Sequence, residues 1–175
     1  MIRVKISGVA IDPVTKGFVV ILKDETETRW LPIWIGPYEA KMISLSLEKI
    51  KPLRPLPHDL IKNILDTLGI IVTRIVICGI KENTYFATIR LRSNHLEKEI
   101  DARPSDAIAL ALRVNAPIYV TEDVLNKASI EKIALEDEKG MKLTELREKM
   151  QKAVEVENYE EAAKLRDQIR SLEKK

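Results

Sequence analysis

The chain has 175 residues, of which 45% are hydrophobic and 32% are charged, so it can hold one domain with a sizeable core plus an appendage. No apolar run approaches the roughly 20 residues that span a membrane, and the N-terminal residues alternate like a strand instead of forming a signal peptide. The net charge of +2 is too small to indicate a nucleic-acid-binding protein by bulk electrostatics alone.

Two features of the composition bear on the cellular compartment of the protein and on its thermal origin. Cys78 is the only cysteine, which excludes an intrachain disulfide and predicts a cytoplasmic protein. Glutamine occurs only at 151 and 168, whereas Lys, Glu and Ile are abundant. This composition favours a thermophilic origin.

The first third of the chain predicts three strands and a helix. The strands cover residues 3–11, 17–22 and 30–35, and Gly36-Pro37 opens the helix. Four apolar residues recur at helical spacing and are predicted to face the core as one stripe: Ala40, Ile43, Leu47 and Ile50. Glu39 lies in the first turn, off that stripe, where it is either an acid that complements the helix dipole or a carboxylate at the mouth of a site.

A second helix is predicted after the proline-rich segment 51–57, which is extended and stiff. His58-Asp59 opens this helix and Gly69 ends it. Its predicted core positions are Leu60, Ile61, Ile64, Leu65 and Leu68. A lone histidine is most often structural, but an adjacent His-Asp pair at a helix start after a rigid loop is a candidate site.

Residues 70–80 and 84–92 predict a hairpin, and 95–100 a further strand. On the second strand of the hairpin, Thr88, Arg90 and Arg92 share one face. The two arginines could follow the phosphates of a nucleic acid, or they could simply belong to a solvated face.

The segment 101–120 predicts a polar corner followed by a buried helix. Residues 107–112 are apolar on every side, so a helix there must be buried. Pro104 suits the first turn. Four polar residues stand just before the apolar run: Asp101, Arg103, Ser105 and Asp106. They could form an anion site at the helix N-terminus, or they could be capping residues with Arg103 paired to an aspartate. A short strand at 118–120 and a short helix at 122–128 follow.

The C-terminal region predicts a separate element. Residues 134–142 are charged and contain a glycine, as in a linker, and residues 143–175 carry two apolar seams with a break at Asn158-Tyr159. These seams predict an antiparallel helical hairpin. Acidic and basic residues are equal in number there, so we expect it to bind protein instead of phosphate.

Three segments together resemble the bifunctional nuclease domain family over residues 1–133: LPIWIG with EA at 31–40, RPLPHDL at 54–60 and DARPSDAIALAL at 101–112. The tail, from LREKM at 146–150 to YEEAAKLRDQI at 159–169, resembles a UVR motif, a hairpin through which repair subunits contact each other. The resemblance implies an α+β fold, with a mixed or antiparallel sheet and packed helices, and a nuclease acting on DNA and RNA. One departure is Pro57, where family members often have threonine.

The resemblance also assigns roles to residues, which we treat as expectations. The catalytic set would be His58, Asp59, Asp101, Arg103 and Asp106, with His58 as general acid or base. The phosphate would contact Arg103 and Ser105, and the shared strand face adds Arg90 and Arg92 as further phosphate contacts. Magnesium or manganese would be held by Glu39, Asp59, Asp101 and Asp106, since these ions prefer oxygen ligands.

Two other classes of function fit the same residues. One is a scaffold or regulatory module that binds a small anion and recruits a partner through the hairpin. The other binds nucleic acid without chemistry, which the modest net charge disfavours. Exposed strand edges near Pro32 and a hairpin too small to be stable alone also predict a homodimer.

Overall fold

The computed structural model describes residues 1–12, 15–94 and 96–131, and in the C-terminal region residues 143, 145–147, 149–150, 152–153 and 158–173. The chain divides into two compact units, Met1–Ile130 and Glu131–Lys175. The predicted linker at 134–142 lies outside the described residues. No helix within the described ranges is both long enough and apolar enough to span a membrane.

The first unit is built on a mixed sheet, as expected for the α+β class. Its strands are β1 Ile2–Ile11, β2 Phe18–Asp24, β3 Arg29–Ile35, β4 Ile71–Lys81, β5 Thr84–Ser93, β6 Leu96–Ala102, β7 Ile118–Val120 and β8 Ile130–Glu131. Across the described chain their order is β6-β5-β4-β7-β1-β2-β3-β8. Among the pairings whose register is described, β4 with β7 is parallel and the others are antiparallel. The β4–β5 hairpin turns through Glu82 and Asn83, both with positive φ, which suits a tight hairpin.

Three helices of this unit begin in the same way. The helices are α1 Pro37–Leu47, α2 Pro57–Thr67, α3 Pro104–Val114 and α4 Glu122–Ala128. In α1, α2 and α3 the first residue is proline, whose missing N–H costs nothing at that position. The third residue of each is an acid, namely Glu39, Asp59 or Asp106, where it complements the helix dipole.

Helix α3 is the centre of the packing. Ala107 through Ala111 are buried, and the helix contacts α1, α2, β4 and β5. The expectation of a buried apolar helix at this position is therefore confirmed. Asn115 ends the helix in the left-handed conformation, which asparagine tolerates better than most residues.

One buried arginine ties the three helices together. Arg113, in the last turn of α3, donates from Nε to Asp59 Oδ1 of α2 at 2.6 Å. Its Nη1 donates to Met42 O of α1 at 3.3 Å and to Ala109 O at 2.8 Å. Asp59 Oδ2 accepts from the Leu56 N–H at 2.9 Å. Burial raises the pKa of the Asp59 carboxyl, but the bonds from Leu56 and Arg113 outweigh it and the pKa lies below the usual 3.8.

The core predicted for α2 is wrong at four of its five positions. Leu60, Ile61, Ile64 and Leu68 are 43% to 63% exposed, and only Leu65 packs against the core. The buried residue of α2 is His58. Periodicity correctly indicated an apolar face on this helix. However, α2 packs on α3 through the side that carries His58 and Leu65, and its apolar face is directed to solvent. The prediction that Ile50 belongs to the core-facing residues of α1 is also wrong, because Ile50 lies beyond the end of the helix and is exposed.

The second unit contains helix α5, Tyr159–Glu173, and helical residues among 143–153. Ala153 and Leu165 form a small buried cluster with Leu146 and Met150 against it, as the matching seams predicted. Asn158 Oδ1 accepts from the Glu161 N–H at 3.2 Å, so the polar break in the sequence caps α5.

We expect loss of the Arg113 guanidinium to destabilise the fold. Arg113→Met leaves the partly buried Asp59 carboxylate without its main partner, and the free energy of unfolding should fall by about 2 to 4 kcal/mol. The matched control is Arg103→Met at the N-cap of the same helix, where the arginine is exposed and the loss should stay below about 1 kcal/mol. Urea unfolding of both variants measures the difference, and equal losses would contradict the assignment.

The stabilising effect of this ion pair should also depend on pH. Because the pKa of Asp59 is lowered in the folded state, the contribution is fully present above the unfolded-state pKa. It is lost as pH falls through the lower folded-state pKa. The stability gap between wild type and Arg113→Met should therefore narrow progressively below about pH 4. Unfolding midpoints at pH 7, 4 and 3 test this, and a constant gap would contradict it.

Candidate functional site

A cluster of charged side chains forms where the N-termini of α1 and α3 approach each other. Arg103 donates from Nε to Asp106 Oδ2 at 2.7 Å and from Nη2 to Asp106 Oδ1 at 3.2 Å. The same Nη2 lies 2.9 Å from Glu39 Oε1. Two carboxylates from different helices thus share one guanidinium. The side chain of Arg103 is 67% exposed, so these pairs contribute little to stability and can exchange for another anion at low cost.

His58 joins this cluster from the start of α2. Its Nε2 lies 3.3 Å from Asp106 Oδ1, so the His-Asp-Leu segment and the Asp-Ala-Arg-Pro-Ser-Asp segment meet in space. The histidine is only 8% exposed, and its Nδ1 is buried with no hydrogen-bond partner among the described residues. His58 therefore stands behind Asp106, which is the more accessible of the two.

The position of Glu39 depends on the glycine before it. Gly36 is the N-cap of α1, and a Cβ added to Gly36 would overlap the Glu39 carboxylate. Glycine leaves room for the carboxylate to fold back over the start of its own helix, and a larger residue would make that carboxylate shift. This arrangement holds Glu39 toward Arg103.

A cleft of about 270 Å³ opens beside Arg103. The end of β3, the β4–β5 turn and the first turn of α3 line it, with Trp34, Tyr85 and Ser105 among its walls. Ser105 is 7% exposed, and no hydrogen bond of its hydroxyl is described. Tyr85 OH donates to Pro32 O at 3.4 Å. This bond joins β5 to β3, although four strands lie between them in the sheet. Burial raises the pKa of the Tyr85 hydroxyl.

Trp34 presents its ring at the edge of this cleft. The indole Nε1 donates to Asp12 Oδ2 at 3.2 Å, which fixes the ring, and yet Trp34 is 55% exposed. The other tryptophan, Trp30, is engaged differently, since Lys23 Nζ lies 4.2 Å from its ring centroid. Trp34 is thus a fixed aromatic surface open to a ligand.

The structure does not bring every expected site residue into the cluster. The carboxylate of Asp59, next to His58, is occupied by Arg113 and Leu56. Asp101 pairs across the sheet with Thr88, and Arg90 with Glu99. These positions alternate with Ala87, Ile89 and Leu91, which are buried in the core that includes α3. Asp101, Arg90 and Arg92 therefore lie on the sheet face away from His58, and Arg90 is bonded to Glu99 at 2.6 Å.

The arrangement of acids does not fit a divalent cation as it stands. Of the four expected ligands, Glu39 and Asp106 come together, but the Arg103 guanidinium lies between them. Within the described residues, no group of three or more His, Cys, Asp or Glu side chains is placed to hold a metal ion. The two carboxylates are therefore arranged to bind a guanidinium.

Sequence reasoning missed three residues that shape this site. The signal for Arg113 is its place directly after an apolar buried run, because an arginine that is buried there needs a partner. For Trp34 and Tyr85 the sequence pattern indicates only that they belong to strands. Their approach to Arg103 follows from the curl of the sheet, and no local pattern in the sequence encodes that curl.

Comparisons with known proteins agree with the motifs. Residues 20–132 match the bifunctional nuclease domain, and residues 142–175 match the UvrB/uvrC motif. An uncharacterized protein of Mycobacterium tuberculosis is 38% identical over 128 residues, covering 73% of this chain and 76% of the mycobacterial protein. Bifunctional nuclease 1 of Arabidopsis thaliana is 26% identical over 178 residues, covering 86% of this chain and 54% of the plant protein. Bifunctional nuclease 2 of the same plant is 25% identical over 184 residues, with coverages of 89% and 56%.

The role of Gly36 can be tested directly. In Gly36→Ala the added Cβ should push the Glu39 carboxylate away from Arg103, and the Nε–Hε resonance of Arg103 should shift in the NMR spectrum. Gly79→Ala is the control, because the nearest atom to its added Cβ is 3.9 Å away. An Arg103 resonance that stays unchanged in Gly36→Ala would contradict this packing.

Proposed function

The chain belongs to the bifunctional nuclease domain family, and we propose that it hydrolyses phosphodiester bonds in DNA and RNA at the cluster of Glu39, His58, Arg103 and Asp106. The observation that carries this proposal is the exposed Arg103, held between two carboxylates at the rim of a cleft. This is a phosphate-binding group placed next to a candidate base.

Arg103 would bind the scissile phosphate. Its Nε and Nη2 face Asp106 and Glu39, whereas no bond from Nη1 to a described residue is present. Nη1 is therefore available to a phosphate oxygen. Ser105 stands beside it in the first turn of α3, where the helix N-terminus also favours an anion.

Asp106 would act as the general base. It takes a proton from the attacking water, the water oxygen forms a bond to phosphorus, and the opposite P–O bond breaks. The leaving oxygen takes a proton from solvent. We expected His58 to be the acid or base itself, but in this proposal it would be a positioning residue that holds the carboxylate, which its burial next to Asp106 supports.

The cleft would hold the nucleotide through features that DNA and RNA share. An unpaired base can stack on the fixed ring of Trp34 while its phosphate meets Arg103. Stacking and phosphate contact do not require a 2′-hydroxyl, which fits a nuclease for both polymers. A paired base cannot reach the ring, so we expect single strands to be the better substrates.

Two further parts of the proposal concern partners and metal. The UvrB/uvrC-like hairpin would bind another protein, since acidic and basic residues balance over 143–175, and the lone Cys78 favours a cytoplasmic setting. Magnesium or manganese could bind Glu39 and Asp106 only if Arg103 moved away. Assays should therefore include each metal and a chelator.

Asp106→Asn should lower kcat for a labelled single-stranded oligonucleotide by at least about 100-fold, the usual contribution of a general base. His58→Gln should lower kcat less, and Arg103→Ala should mainly raise KM. Circular dichroism checks that each variant is folded. Full activity in both His58→Gln and Asp106→Asn would contradict the proposed site. No cleavage by the wild type under any condition would favour the non-enzymatic scaffold.

Asp101→Asn tests whether Asp101 is catalytic, as the family resemblance implies, or lies outside the site, as its position on the sheet indicates. Since Asp101 lies on the sheet face away from His58, we expect kcat/KM of this variant to stay within about twofold of wild type. A loss as large as that of Asp106→Asn would mean that Asp101 belongs to the machinery.

Trp34→Ala should raise KM for a single-stranded oligonucleotide by about 5- to 100-fold, the range expected for loss of one stacked base. Trp30→Ala is the matched control, because Lys23 covers that ring. Equal effects of the two variants would contradict stacking on Trp34. In that event the hydrolysis proposal would still rest on the Asp106 result.

A further inference from the structure

The outer surface of α2 carries an apolar stripe that no other described residue of the first unit covers. It consists of Leu60, Ile61, Ile64 and Leu68, each about half exposed. Large apolar side chains occur singly on many protein surfaces, but four on adjoining turns of one helix mark an interaction site. The stripe is separate from the cluster around Arg103.

The charge pattern of the helix leaves this stripe neutral. At 100° per residue, the four apolar residues span about 100° of the helix circumference. The charged residues of α2 are Asp59, Lys62 and Asp66, and all three lie on the opposite side. Asn63 and Thr67, which border the stripe, are uncharged. A second neutral apolar surface can therefore approach without burying a charge.

The spacing of the stripe is symmetric about one residue. Leu60 and Leu68 each lie four positions from Ile64, so two antiparallel copies would place Ile64 against Ile64 and Leu60 against Leu68. Such self-complementarity is the requirement of a twofold interface. We propose that the α2 stripe is the contact between two copies of this chain, with the α2 helices packed antiparallel.

The available area is sufficient for this contact. Pro57, Asn63 and Thr67 are exposed on the same arc as the stripe. Together the seven residues offer roughly 600 Å² per copy, or about 1,200 Å² for a pair, at the lower end of specific interfaces. Antiparallel packing also aligns the helix dipoles favourably. The dimer predicted from strand edges and the hairpin is thereby assigned to a different surface, and this assignment does not depend on nuclease activity.

The first test is the mass of the full chain in solution. Light scattering on a sizing column should give about 40 kDa, twice the 20.0 kDa of the chain. Ile64→Glu should give the monomer and remain folded by circular dichroism, because the substituted side chain is exposed. The control is Asp66→Lys, which changes an exposed charge on the side of α2 opposite the stripe, about 160° from Ile64 around the helix, and this variant should remain a dimer. A monomeric wild type, or a dimer that survives Ile64→Glu, would overturn the proposal.

The second test fixes the geometry of the pair. In a Cys78→Ser background, Ile64→Cys should form a covalent dimer under mild oxidation, because the twofold axis brings position 64 of both copies together. Leu60→Cys and Leu68→Cys should each crosslink poorly alone but efficiently when mixed. Efficient crosslinking of Leu60→Cys with itself would overturn the antiparallel arrangement.

Discussion

The ion pair between Arg113 and Asp59 is the interaction on which the rest of the structure depends. It joins α2 to α3, while the second contact of the guanidinium, to Met42 O, adds α1. The three helices whose N-termini build the site are therefore held by one buried group. Because that group is charged and largely buried, it stabilises only the arrangement in which all of its partners are in place.

Two arginines, one at the N-cap of α3 and one in its last turn, show how burial decides the role of a residue. Arg113 is buried at the end of the helix and donates from Nε and Nη1 to α2, α1 and its own helix, so it fixes the structure. Arg103 is exposed at the start, and its pairs with Glu39 and Asp106 are weak enough to open for a phosphate. Asp59 and Asp106 differ in the same way. Both are the third residue of a helix that begins with proline, but one faces the buried arginine and the other faces solvent and the exposed arginine.

The same helix α2 serves two purposes on two sides. Its inner side places His58 behind Asp106, and its outer side presents the apolar stripe. An exposed apolar stripe costs solubility unless a partner covers it. If a second copy covers it, as proposed, dimer formation also stiffens the helix that positions His58. The site would then be organised by Arg113 from within and by the partner from outside.

The amino-acid sequence alone determined the buried helix after Pro104, the helix starts near Gly36 and His58 and the seams of the C-terminal hairpin. These features follow from local periodicity and from where proline and glycine can stand, whereas the α+β class was implied by the resemblance of three motifs to a known family. Tertiary structure alone decided that His58 meets Asp106, that Asp59 belongs to Arg113, and that Asp101 faces away. Each of these depends on which sheet face or helix side turns inward. A one-residue difference in position reverses the face of a strand residue, and a helical stripe specifies an apolar surface without specifying what covers it.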